Sequence, residues 1–71
     1  MRNQALVRTL TLLRLLQQRG RWTLLELAGT FRVSTRTVRR DLAALEDAGY
    51  PIGHEHVQHG NNREHGLWWL A

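Results

Sequence analysis

The stretch Arg32, Val33, Ser34, Thr35, Arg36, Thr37, Val38, Arg39, Arg40, Asp41, Leu42 places a helix start, an apolar stripe and four arginines on one short segment. Ser34 has the chemistry of an N-cap: its hydroxyl can accept a hydrogen bond from an otherwise unpaired amide near Thr37. Val38, Leu42 and Leu45 follow at helical spacing, and Gly49 supplies the usual left-handed stop, which predicts a helix over 35–48. At about 100° per residue, Arg36 and Arg40 point directly away from the apolar face. Arg39 and Thr35 flank them on one side and Thr37 on the other, while Ala43 leaves a small outward position where another surface can approach closely.

The charge order along this helix costs stability. Helix dipoles favour acids at the amino end and bases at the carboxyl end, each by about 0.3–1 kcal/mol. Here Arg36, Arg39 and Arg40 come first, and Asp41, Glu46 and Asp47 come later. Arg36 and Arg40 are also like charges one turn apart, a mildly repulsive pair. A broken local rule of this kind marks a candidate working surface. With Ser34 and two threonines beside the arginines, the expected partner is DNA. Asp41 has no base three or four residues before it, so it is expected to pair with an arginine elsewhere, the first helix being one source.

Composition agrees. A chain of 71 residues is expected to form one small domain, burying about 60% of its unfolded surface and gaining from a partner copy. The net charge is +4 and all 10 basic side chains are arginine, which suits a polyanion and rapid electrostatic association. Cysteine is absent, so disulfides, thiolate metal sites and thiol nucleophiles are excluded. No apolar run approaches membrane-spanning length, and the leucine-rich amino-terminal segment lacks a small-residue cleavage site. No membrane partner is expected, and the expected location is the bacterial cytoplasm, at the nucleoid.

Along the chain, a first helix is predicted over 4–19, with Leu6, Leu10, Leu13 and Leu16 as its core stripe and Gly20 as its end. Val7, Leu12 and Leu15 fall outside that stripe, either widening the core contact or forming a dimer interface. Arg21 and Trp22 read as a short extended link. Thr23 and Glu26 then make a capping box opening a helix over 24–31, with Leu24, Leu27, Ala28 and Phe31 buried. Two helices joined by so short a turn, the second basic and outward, form a helix-turn-helix, whose second helix enters the major groove. Beyond Pro51, strands are expected at 52–57 and 66–70, with Gly60, Asn61 and Asn62 at the turn between them. The fold class is therefore mainly α with a small β-hairpin, a three-helix winged helix-turn-helix with its wing at about 52–70.

These residues resemble the DeoR-type winged helix-turn-helix domains, including those at the amino end of bacterial WYL-domain regulators. The resemblance is carried by Trp22, Thr23, Glu26, Leu27 and Ala28, then Phe31 to Leu45, and Glu46, Ala48, Gly49, Tyr50, Pro51 and Ile52; it weakens beyond Ile52. It implies sequence-specific binding to promoter DNA, usually as a repressor, with Thr35, Arg36, Thr37, Arg39 and Arg40 facing the groove. Those regulators carry a larger carboxyl-terminal domain, so the chain is expected to be either a stand-alone mini-regulator or a fragment.

Roles follow residue by residue. Arg36 and Arg40 are candidates for bidentate bonds to guanine edges. Thr35 and Thr37 are placed for bases or phosphate, Arg39 and Arg32 for backbone contacts, and the amides at Thr23 and Ser34 for phosphates. At the wing tip, Asn61 and Arg63 are the further DNA candidates. Trp68 and Trp69 point to opposite faces of one strand, so one can close the core while the other serves a twofold dimer interface with Leu12 and Leu15. The four histidines at 54, 56, 59 and 65 lack cysteine support for a metal site and read as exposed; their protonation is expected to strengthen DNA binding in mild acid. No metal, cofactor or catalytic residue is expected. The competing readings are a winged helix used for protein contact and a non-specific architectural DNA binder.

Overall fold

The computed structural model describes residues 3–18, 20–55 and 66–71. Three helices and three short strands run in the order α1 (Gln4–Gln18), β1 (Arg21–Thr23), α2 (Leu24–Phe31), α3 (Thr35–Asp47), β2 (Ile52–His54) and β3 (Leu67–Leu70). Asn3 caps α1, its side-chain oxygen accepting from the Leu6 amide at 3.0 Å. The capping box of α2 is complete: the Thr23 hydroxyl accepts from the Glu26 amide at 3.1 Å, and the Thr23 amide donates to the Glu26 carboxylate at 2.9 Å.

The core is built from leucines of all three helices. Leu12, Leu24, Leu27, Val38 and Leu42 are exposed by 1% or less, with Leu13, Leu16, Ala28 and Leu45 completing the buried cluster. The α1 stripe differs from the expected one. Leu12, Leu13 and Leu16 are buried, whereas Leu6, Val7 and Leu10 are exposed by 54%, 55% and 56%. At about 100° per residue the inward face is turned by roughly 60° from the expected stripe. The cause is Arg8, whose guanidinium donates to both Asp41 oxygens, at 2.5 and 3.2 Å. Asp41 thus finds its arginine on the first helix, and meeting it holds α1 in the rotation that sends Leu12 inward. Leu12 is therefore a core residue and offers nothing to a second copy, while Leu15 is partly buried against the same core.

The three strands form one antiparallel sheet in the order β1-β3-β2. The segment Arg21–Thr23, expected as a link, is a strand, with Trp22 opposite Trp68. Outer bonds from Glu55 to the Leu67 carbonyl and from Ala71 to the Pro51 carbonyl, both 2.8 Å, extend the β2–β3 ladder. Alternation then sorts the side chains. Trp22, Ile52, Trp68 and Leu70 pack on the core. Trp69 faces the other way, over Gly53, with the Arg21 guanidinium 4.3 Å from its ring centroid. The expected hairpin turn at Gly60, Asn61 and Asn62 lies outside the described residues. Three helices with this small sheet make a mainly α, winged helix-turn-helix fold.

The stabilities of three variants check this packing. Leu12→Ala should lower the unfolding free energy by about 2–4 kcal/mol, while Leu10→Ala should stay within about 0.5 kcal/mol of the parent. Gly53→Ala should cost about 1–3 kcal/mol, because its new methyl meets the Trp69 indole; the ideal Cβ position lies 2.6 Å from that ring.

Candidate nucleic-acid interface

The turn between α2 and α3 decides where the arginines of α3 can point. The Val33 amide reaches back to the Ala28 carbonyl at 3.0 Å and the Arg32 amide to Gly29 at 3.4 Å. This is the Schellman closure of a helix, and it puts Arg32 in the left-handed region, with φ 56° and ψ 46°. The carboxyl end of α3 closes in the same pattern, from Gly49 to Glu46 and from Tyr50 to Leu45, but there the left-handed position is a glycine, φ 105°. A non-glycine residue in this region costs about 1–2 kcal/mol. Arg32 is the described non-glycine residue with positive φ, it is exposed, and it stands between the two helices.

Ser34 caps α3, its hydroxyl accepting from the Thr37 amide at 3.1 Å. The Thr37 hydroxyl lies 3.1 Å from the same oxygen, so both side chains are engaged in the cap and Thr37 is the less free of the two candidate threonines. Thr35 and Thr37 are half-buried. Arg36, Arg39 and Arg40 are exposed. Ion pairs join Arg8 to Asp41 and Arg21 to Glu55, and neither involves an arginine of α3. Val38, Asp41, Leu42 and Leu45 form the opposite, buried side. One helix thus presents a closed face to the core and a cationic face outward.

Thr23 is half-buried and committed to the α2 capping box, where the Glu26 carboxylate already occupies its amide. Trp68 lies on the core side of the sheet and Trp69 on the outer side, both half-buried. Asn61 and Arg63 lie outside the described residues, as do His56, His59 and His65. Among the described residues, no group of three or more His, Asp or Glu is placed to hold a metal ion, and no helix is long and apolar enough to cross a membrane. His54, read in the sequence only as one of four exposed histidines, lies beside α3 in a cleft shared with its arginines. Strand parity placed it on a face, but nothing in the sequence showed that this face turns toward α3.

A family model described as an HTH domain matches residues 8–56. That span is more than half of the chain, and the chain belongs to this helix-turn-helix family, a family of DNA-binding domains. The match covers α2, the strained turn and α3 in full. No solved structure matches the chain.

Arg32 separates stability from binding. Arg32→Gly should raise the unfolding free energy by about 0.5–1 kcal/mol, the left-handed penalty relieved less the entropy of glycine. The same variant should weaken duplex binding, as read by thermal unfolding and fluorescence anisotropy on one sample.

Proposed function

We propose that this chain is a sequence-specific transcriptional regulator of the DeoR kind, a repressor that binds DNA as a dimer with α3 in the major groove. The observation that carries the reading is the exposed set Arg36, Arg39 and Arg40 on α3, opposite a fully buried face. Such a set costs stability within the isolated helix and is compensated when a polyanion lies against it. Arg36 and Arg40 read guanine edges, Thr35 assists them, and Arg39 and Arg32 hold the backbone. The amino end of α3 at Ser34 is assigned to a phosphate, the Thr23 amide being taken by Glu26, and Asn61 and Arg63 are assigned to the adjoining groove. A twofold dimer sets two α3 helices about 34 Å apart, one turn of DNA. The apolar side chains that α1 leaves outward for a second copy are Leu6, Val7 and Leu10.

Selection from a pool of random duplexes at near-physiological salt tests this. The expected result is an enriched inverted repeat with half-sites one turn apart. Retention without enrichment indicates architectural binding, and no retention indicates a protein-contact module. On the selected duplex, Arg36→Ala should lose about 1–3 kcal/mol of discrimination at one base position. Arg39→Ala should instead weaken all sequences alike and lower the salt slope by about 1.

A further inference from the structure

The first turn of α1 stands clear of the domain core. Gln4, Ala5, Leu6 and Val7 make one full turn, and each of them is exposed. Ala5 shares a helix side with Leu12, two turns further on, yet Leu12 is buried and Ala5 is not. Cover from the core begins at Arg8 and Thr9, both half-buried. The side of a surface helix turned from the core is normally polar. Here it carries Leu6, Val7 and Leu10, the most exposed large apolar side chains among the described residues. The turn is nonetheless well formed, because Asn3 accepts from the Leu6 amide through its side chain and from the Val7 amide through its carbonyl, each at 3.0 Å. At the edge of the patch the Thr11 hydroxyl donates to the Val7 carbonyl at 2.7 Å, so that hydroxyl is satisfied within the helix.

Size, distance and charge decide what covers this patch. Stable interfaces engage about 20–30 residues a side, and three aliphatic side chains fall far short, so the patch does not hold a dimer in free solution. Two copies seated on neighbouring half-sites meet at a high effective concentration, where a small contact suffices. Each copy brings the matching surface, since a twofold contact joins a patch to itself. The dimensions agree. Arg8 and Asp41 hold α1 against α3, and packed helices lie about 8–10 Å apart. Passing from α3 to α1, to the α1 of a second copy and to its α3 sets the two α3 helices up to about 30 Å apart, the scale of one DNA turn, about 34 Å. Charge then chooses the direction. Arg14 is exposed one turn beyond Leu10 on the same side, and a parallel pair would bring two such arginines together. An antiparallel pair with Val7 opposite Leu10 separates them by about 16 Å along the axis, beyond the screening length of about 8–10 Å, and sets the helix dipoles head to tail.

We propose that the amino-terminal half of α1 is a cooperativity contact: two copies on DNA pair their α1 helices antiparallel through Leu6, Val7 and Leu10, and separate when free. The inference rests on α3 reading two half-sites, and it names the surface that couples them.

The test uses the full chain and three duplexes: the selected inverted repeat, one half-site alone, and the repeat with about half a turn of DNA inserted between its half-sites. Wild type should sediment as a monomer at tens of micromolar, load two copies on the repeat with a coupling of roughly ten-fold or more, and lose that coupling on the spaced repeat. Gln17→Glu adds an acid to the same helix side beyond the paired region and should keep the coupling. Leu10→Glu should match Gln17→Glu on the single half-site and lose the coupling on the repeat. If wild type fills the two half-sites independently, if Leu10→Glu keeps the coupling, or if Gln17→Glu loses it as well, the α1 contact fails. An enriched single half-site, or a dimer in free solution, overturns it too. In each of these cases base discrimination lost by Arg36→Ala leaves the groove-reading helix standing. If wild type binds no duplex, both fall.

Discussion

The seating of α3 is the constraint on which the rest depends. Val38, Leu42 and Leu45 are exposed by 1%, 1% and 3%, set among leucines of α1 and α2. Burial of each such side chain contributes about 1.5–3 kcal/mol, enough to hold a helix whose charges run against its own dipole. Arg8 and Asp41 then select the rotation. A buried ion pair adds little net stability but is costly to break by halves, so its value here is geometric: α1 and α3 meet in one register. The hydrogen bond to Asp41, against the opposing pull of desolvation and with the help of the carboxylate charge, raises the Arg8 pKa above the ordinary arginine value. A raised value means that its contribution is fully present below the free arginine value and lost only above the folded one. Arg8 therefore keeps its cation throughout the working range, and deprotonation of Arg8 does not disturb the seat of α3 there.

The two ends of the helix-turn-helix show where local stability yields. Both α2 and α3 close by the same two hydrogen bonds, yet one uses Gly49 and the other Arg32 at the left-handed position. The same geometry made from glycine in one place and strained arginine in another separates folding demand from surface demand. At Gly49 the chain needs only to stop a helix. At Arg32 it also places a guanidinium at the corner from which α3 departs, and the core absorbs the cost.

What the sequence made legible was local and strongly periodic. Ser34 and the Thr23–Glu26 box mark their helix starts by side-chain chemistry that acts within three residues, and α2 and α3 lie where those signals put them. That Asp41 pairs outside its own helix was legible because no base stands three or four residues before it; that the partner is Arg8 was not. The rotation of α1 was not legible, because leucine at 6, 10, 12, 13, 15 and 16 satisfies more than one stripe, and the deciding contact comes from a residue 33 positions away. Strand β1 was missed for a related reason: three residues are too few to show a period, and Arg21–Thr23 become a strand only when β3 pairs with them. The cleft at His54 likewise depends on how sheet and helix are docked, which no pattern within β2 encodes.

That docking is set at Thr23. It pairs with Leu67 at the end of β1 and is at once the N-cap of α2, so no linker separates the sheet from the helix-turn-helix. The matched family region ends at residue 56, before β3 begins, yet β3 is the central strand and joins β1 to β2. The segment beyond the family match therefore closes a sheet that the helices have already anchored. Trp68 then serves two purposes from one position, packing inward on the core and supporting His54 at the cleft. The spacing between the cationic helix and the sheet is thus inherited from a hydrophobic core and one capping residue.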